Sequence, residues 1–169
     1  MIHVGFTGTR RGMTFEQKHN VRVLLLALRS APCEPLRCNH RLIAHHGDCI
    51  GADAEFHAIA RELGCFIVGH PPTDDTRRAF CGFDETRTPL HFAHRNAHIV
   101  SGSHYMLGAP AEDEERLHGG TWSTIRLTRK RGTPIATVMP SGRLLDRWLD
   151  ILPMETMVFR AAARTEVAP

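Results

Sequence analysis

The chain has 169 residues, 42% hydrophobic and 23% charged, a balance that fits one globular domain and excludes a fibrous or wholly disordered protein. A formal charge of +3 admits an anionic ligand, and the longest apolar stretch, residues 23–28, falls far short of the roughly 20 needed to span a bilayer. Five cysteines form no balanced disulfide framework and are expected as reduced thiols, and the first residues show no charged region followed by an apolar one, so a cytoplasmic location is expected.

Residues 2–6 read as a first strand that runs into a Gly-Thr turn and the basic loop Arg10-Arg11-Gly12. Thr14 with Gln17 three residues on is a capping-box signature for a helix reaching about Arg29. Val21, Leu24, Leu25 and Leu28 recur at helical spacing and give that helix one apolar face. Pro32 and Pro35 make residues 31–40 a connection. Residues 41–46 read as a second strand, 47–51 as a turn, and 52–63 as a helix ended by Gly64. A short buried strand follows over residues 65–69.

Residues 70–87 carry Pro71-Pro72 and no clear period, which predicts a surface excursion beside the strand ends. Pro89 is placed to open a helix running to about Ala97. Ile99-Val100, then Tyr105 to Ala109, supply at least one further strand. The acidic insert 111–118, with Glu112, Asp113, Glu114 and Glu115, leads through Gly119-Gly120-Thr121 into a basic helix over 122–131. Gly132 ends it and residues 134–139 form a last strand. Residues 144–152, including Trp148, are expected as a closing helix.

Strands alternating with helices define the α/β class, a three-layer α/β/α arrangement with a mainly parallel sheet, because parallel strands need crossover connections. The expected organisation is one domain over residues 1–152 and a fraying tail over 153–169.

Four segments lie where apolar runs give way to loops or helix starts, the positions where open parallel sheets bind ligands. In the first, Gly8 permits close backbone approach, Thr9 offers a hydroxyl, and Arg10 and Arg11 offer cation forks suited to phosphate. In the second, Gly47 and Gly51 bracket a strand-to-helix turn whose amides, with Ala52, face outward toward an anion. Asp48 there reads either as an acceptor for a ribose or base, or as a helix cap, and Asp53 as a helix-start residue that also borders the site. The third supplies Arg95 and Asn96. In the fourth, Gly119, Gly120, Thr121, Ser123 and Thr124 place glycines and hydroxyls at a helix start, without the Gly-Lys-Ser/Thr ending of a Walker A loop.

Together these residues resemble the SLOG superfamily, Rossmann-like nucleotide-binding domains that include the LOG phosphoribohydrolases and the DNA-processing protein A (Smf) family. The run Gly47 to His57 is similar to the Gly-rich turn and helix of the DNA-processing proteins, and Arg95-Asn96 with Ile99-Val100 to their Arg-Asn-Arg-Ile-Ile segment. The resemblance implies a Rossmann-like fold and, at Arg95, the position of the LOG catalytic arginine. Gly119-Gly120 matches the LOG double glycine, but Trp122 stands for its next glycine and Arg126 where its acidic residue would fall.

The expectation is therefore a domain that binds a nucleotide or nucleotide-derived small molecule as sensor or carrier. A LOG-like nucleoside 5′-monophosphate phosphoribohydrolase is the alternative, and single-stranded DNA binding a second alternative that the low aromatic content disfavours. Whether the chain is an enzyme stays open. The resemblance implies a homo-oligomer, with the 21–28 helix or the Trp148 segment as candidate surfaces. No cofactor and no membrane partner are expected. His91, His94 and His98 share a helical face, and Cys33-x4-Cys38-Asn39-His40 has the form of half a zinc site, but neither has a completing set, so no metal is expected.

Overall fold

A computed structural model describes residues 1–30 and 41–146. The elements in chain order are β1 (Ile2–Gly8), α1 (Phe15–Arg29), β2 (Leu42–His46), α2 (Ala52–Glu62), β3 (Phe66–Gly69), β4 (Glu85–Thr86), α3 (Phe92–Ser101), β5 (Tyr105–Ala109), α4 (Gly120–Lys130), β6 (Ile135–Val138) and β7 (Leu144–Leu145). The strands form one sheet in the order β4-β3-β2-β1-β5-β6-β7. Every pairing is parallel except β6 with β7.

Side chains alternate across the sheet and separate two apolar layers. Val4 and Phe6 of β1 join Leu107, Ala136 and Val138 against α1 and α2, while Met106 and Ile135 join Ile99, Trp122 and Ile125 of α3 and α4 on the other face. Phe6 and Phe56 stack at 4.3 Å between ring centroids and tie α2 to the central strand. The α/β class with a mainly parallel, Rossmann-like sheet expected from the sequence is the one observed.

Helix α1 starts where expected. Gln17 N–H donates to Thr14 Oγ1 (3.1 Å) and Thr14 N–H to Gln17 Oε1 (3.0 Å), completing the capping box. The Gln17 amide also donates to Pro110 O and Val138 O, both at 2.8 Å, joining this helix start to the ends of β5 and β6. The apolar stripe Val21, Leu24, Leu25 and Leu28 is buried against the sheet, while Leu26 of the same helix is 42% exposed.

Three expectations are corrected. The third helix begins at Phe92 rather than Pro89 and continues through Ile99 and Val100, which are not strand. Leu90 is held in extended pairing beside Pro72, and Arg95, Ile99 and Val100 share the buried helical face. Leu144 and Leu145 are strand, not helix: Gly142, at φ 84, closes a tight turn in which Gly142 N–H bonds Met139 O at 2.8 Å, and the chain reverses antiparallel to β6. The 70–87 excursion contains a 3-10 turn at Asp75–Arg77 and the edge strand β4. Trp148, the 153–169 tail, and Cys33, Cys38 and His40 lie outside the described residues.

Among the described residues no helix is long and apolar enough to cross a membrane.

Candidate functional site

The strand order reverses between β1 and β5, because β1 is followed by β2 on one side and the chain later returns to β5 on the other. Such a switch point leaves a crevice outside the carboxyl ends of the strands. Here it is a cleft of about 530 Å³. Of the residues singled out from the sequence, Gly8, Thr9, Arg10, Asp53, Arg95, Asn96, Gly119, Gly120 and Thr121 line it together.

Arg95 on α3 is 5% exposed, and its guanidinium reaches under the turn after β2. Nη1 lies 3.8 Å from Asp53 Oδ2, Nη2 donates to Cys49 Sγ at 3.4 Å, and Cζ sits 5.7 Å from the centroid of the Phe92 ring. Its Nε is buried without a hydrogen-bond partner. A buried, unpartnered donor on a cation is costly, and Arg95 is among the residues that line the cleft.

Asp53 is buried on the first turn of α2. Its Oδ2 accepts from Gly47 N–H and Cys49 N–H, both at 3.1 Å. Burial pushes its carboxyl up to about 6, against the opposing pull of Arg95 and those two N–H groups. Burial likewise raises the Cys49 thiol above its ordinary range, with Asp53 adding to the effect.

Helix α4 begins at the cleft wall. Its N-cap, Gly119, takes φ 118 and provides no side-chain cap to the first-turn amides. Thr121 Oγ1 donates to Gly8 O (2.9 Å), docking this helix start against the end of β1. Asn96 Nδ2 donates to Thr124 Oγ1 (2.8 Å), and Thr124 Oγ1 donates to Gly120 O (2.8 Å), so α3 and α4 are held in fixed relation across the cleft.

The second segment is arranged differently from its sequence reading. Ala52 N–H donates to Thr9 O at 3.0 Å, and the amides of Gly47 and Cys49 are taken by Asp53. The expected anion cradle is thus filled by the chain's own carboxylate. Gly51, at φ 83, lies against the backbone of Arg10, where a Cβ would meet Arg10 O at 2.3 Å. Asp48 is fully buried and neither caps α2 nor lines the cleft. Its Oδ2 accepts from Arg78 Nε (2.7 Å) and its Oδ1 from Cys81 N–H (3.0 Å), anchoring the 70–87 excursion. Gly47, Gly51, Ala52, Ser123 and Thr124 are not among the residues that line the cleft.

Arg11 of the basic loop lines the cleft as well, and the structure adds residues for which the sequence suggested no place in the site, chiefly Cys49, Arg77, Phe92, Glu112, His118 and Trp122. Arg77 and Glu112 arrive from long loops whose path no periodicity announces. Arg126 donates to Glu115, Arg116 O and Leu117 O, and so fastens the acidic insert to α4. His91, His94 and His98 do not bring three donor atoms together.

No protein-family model matches the chain, and no curated protein matches it. Solved structures share its fold. The molybdenum cofactor binding protein from Rippkaea orientalis aligns with a TM-score of 0.59 at 18% identity, covering 99% of this chain and 89% of that one. The Moco carrier protein from Chlamydomonas reinhardtii aligns with a TM-score of 0.56 at 19% identity, covering 83% and 79%. DNA processing protein A from Streptococcus pneumoniae aligns with a TM-score of 0.57 at 17% identity, covering 96% of this chain but 57% of that one. The chain therefore has the Rossmann-like α/β fold that these structures share.

Proposed function

We propose that the chain binds a phosphorylated small molecule, a nucleotide or nucleotide-derived ligand, in the β1–β5 cleft and serves as its carrier or sensor. The observation that carries this reading is Arg95: nine-tenths buried, with Nε unpartnered, in a cleft whose wall includes the uncapped start of α4. A buried guanidinium and a helix N-terminus converge on anions for the same electrostatic reason. The likeness to molybdenum cofactor carriers supports a carrier role and puts the molybdenum cofactor among the ligands to try.

Calorimetric titration with nucleoside mono-, di- and triphosphates, a pterin monophosphate and the molybdenum cofactor tests it. One of these is expected to saturate at one site per chain, with Arg95→Met weakening it at least tenfold. Absence of binding across the panel, or unchanged affinity in Arg95→Met, overturns the reading.

Hydrolysis of an N-glycosidic bond is the second reading, and Asp53 is the observation in its favour. N-glycosidic cleavage needs a carboxylate near the sugar. Asp53 lines the cleft beside Arg95, whereas Glu115 of the acidic insert is engaged by Arg126 and Arg129. Incubation with nucleoside monophosphates and detection of free base separates hydrolysis from carriage.

Single-stranded DNA is a further ligand to include, since DNA processing protein A shares the fold and Arg10, Arg11 and Arg77 line the cleft. Oligonucleotide affinity that falls steeply with salt would support it. A homo-oligomer belongs to the same proposal. Phe15, 79% exposed, and Leu26, 42% exposed, are apolar residues of α1 left outside the core, and sedimentation measures the assembly.

A further inference from the structure

We propose that His46, His57 and Cys81 form a site for one borderline-soft divalent transition-metal ion, of which zinc is the type. The residues come from separate parts of the chain: the last position of β2, the second turn of α2, and the loop before β4. Their donor atoms all lie within 4.8 Å of one another, and no other group of three among the described residues does so. His46 Nε2 and His57 Nδ1 face each other at 3.0 Å.

Zinc bonds of about 2.0–2.1 Å to nitrogen and about 2.3 Å to sulfur, set tetrahedrally, hold donor atoms roughly 3.3–3.6 Å apart. The imidazole pair already stands near that separation, and a small closure brings in the thiolate. Two imidazoles and one sulfur select zinc or cobalt over calcium or magnesium, which take oxygen ligands.

The surroundings suit such an ion. Phe56 and Phe83 lie 5.9 and 5.0 Å from the His46 ring, and Phe83 lies 5.6 Å from His57, giving the cluster an apolar wall. Asp48 accepts from Cys81 N–H and from Arg78, fixing the loop that presents the thiol. Hydrogen bonds behind a metal ligand hold it in the orientation that coordination needs. Asp48 (φ 58) and Phe80 (φ 52) are two of the three non-glycine residues with positive φ among those described, and they flank the ligands at two residues after His46 and one before Cys81. Backbone strain of this kind persists where the surroundings over-determine it.

Coordination replaces existing hydrogen bonds. Asp48 N–H donates to His46 Nδ1 at 3.2 Å, which leaves that ring's proton on Nε2, directed at His57. When the metal takes Nε2, this proton moves to Nδ1, the Asp48 N–H loses its acceptor, and the Cys81 thiol proton leaves to solvent.

The test adds cobalt(II) to the chelator-treated full chain. One cobalt per chain is expected, with a thiolate-to-cobalt absorption band in the near ultraviolet. Cys81→Ser should remove the band and His57→Ala should weaken cobalt at least tenfold. Cys49→Ser and the Cys33→Ser/Cys38→Ser double variant should keep the band, with circular dichroism verifying each fold. If Cys81→Ser does not fold, His57→Gln decides in its place. Absence of the band in the parent chain overturns the proposal, as does a band that survives Cys81→Ser or disappears with Cys33 and Cys38.

Discussion

Arg95 occupies the space in which any side chain on Gly47 would begin: a Cβ there would lie 1.0 Å from Nη1 and 2.2 Å from Cζ. The glycine is therefore a seat for the guanidinium, not a wall of the ligand site. Gly47→Ala is expected to lower sulfate and phosphate affinity at least tenfold and stability by about 1–3 kcal/mol, the usual range for overpacking a buried site. Anion titration and urea unfolding on the same variant read the two effects.

Arg95→Met tests the ion pair from its other end. Removing one partner of a buried pair costs about 3–5 kcal/mol when the remaining charge has nowhere to go. Asp53 can instead take up a proton, since its carboxyl already stands near 6. A raised carboxyl contributes stability that is full at low pH and is lost as pH rises through its folded value. The loss on Arg95→Met should therefore be about 3 kcal/mol at pH 8 and clearly smaller at pH 5, by denaturant titration at both.

Asp53 should also set the pH dependence of anion binding. Above about pH 6 its carboxylate shares the charge of Arg95, and below that the neutral acid leaves more of it for a ligand. Sulfate, whose own charge is constant between about pH 5 and 8, should bind more tightly as pH falls through about 6. Asp53→Asn should flatten that dependence. Because His118 is present in both proteins, the difference between their profiles isolates residue 53.

Gln17→Ala should destabilise the fold without touching the cleft chemistry. Gln17 is 1% exposed, and its loss opens the capping box and leaves Pro110 O and Val138 O without their donor. Together these are worth about 3 kcal/mol. Urea midpoints should fall accordingly, while affinity for a ligand of the parent chain, measured below the transition, stays within about twofold.

Much of the fold was legible because local rules and packing agree. The capping box of Thr14 and Gln17, the helical spacing of Val21 to Leu28 and the Gly64 stop each act within a few residues, and each is found as read. Where they conflict, packing prevails. Ile99 and Val100 have the composition of a strand, yet their spacing from Arg95 puts all three on the buried face of α3. Leu144 and Leu145 looked helical, but a turn at Gly142 returns them to the sheet edge.

Residue order alone specifies the class of fold, the succession of β–α units, and the meeting of Gly8, Thr9, Arg95 and Gly119 at the carboxyl ends of the strands. These follow from periodicity, turn chemistry and the crossover rule, which act locally or through topology alone. Which polar groups remain available there depends on how distant segments pack. The amides of Gly47 and Cys49 are taken by Asp53, Asp48 turns away to Arg78 and Cys81, and Arg95 keeps an unpartnered Nε beneath the cleft. Hydrogen-bond pairing, over 4 and 6 residues at Asp53 as over 30 and 33 at Asp48, depends on ångström-scale placement, which sequence spacing does not encode.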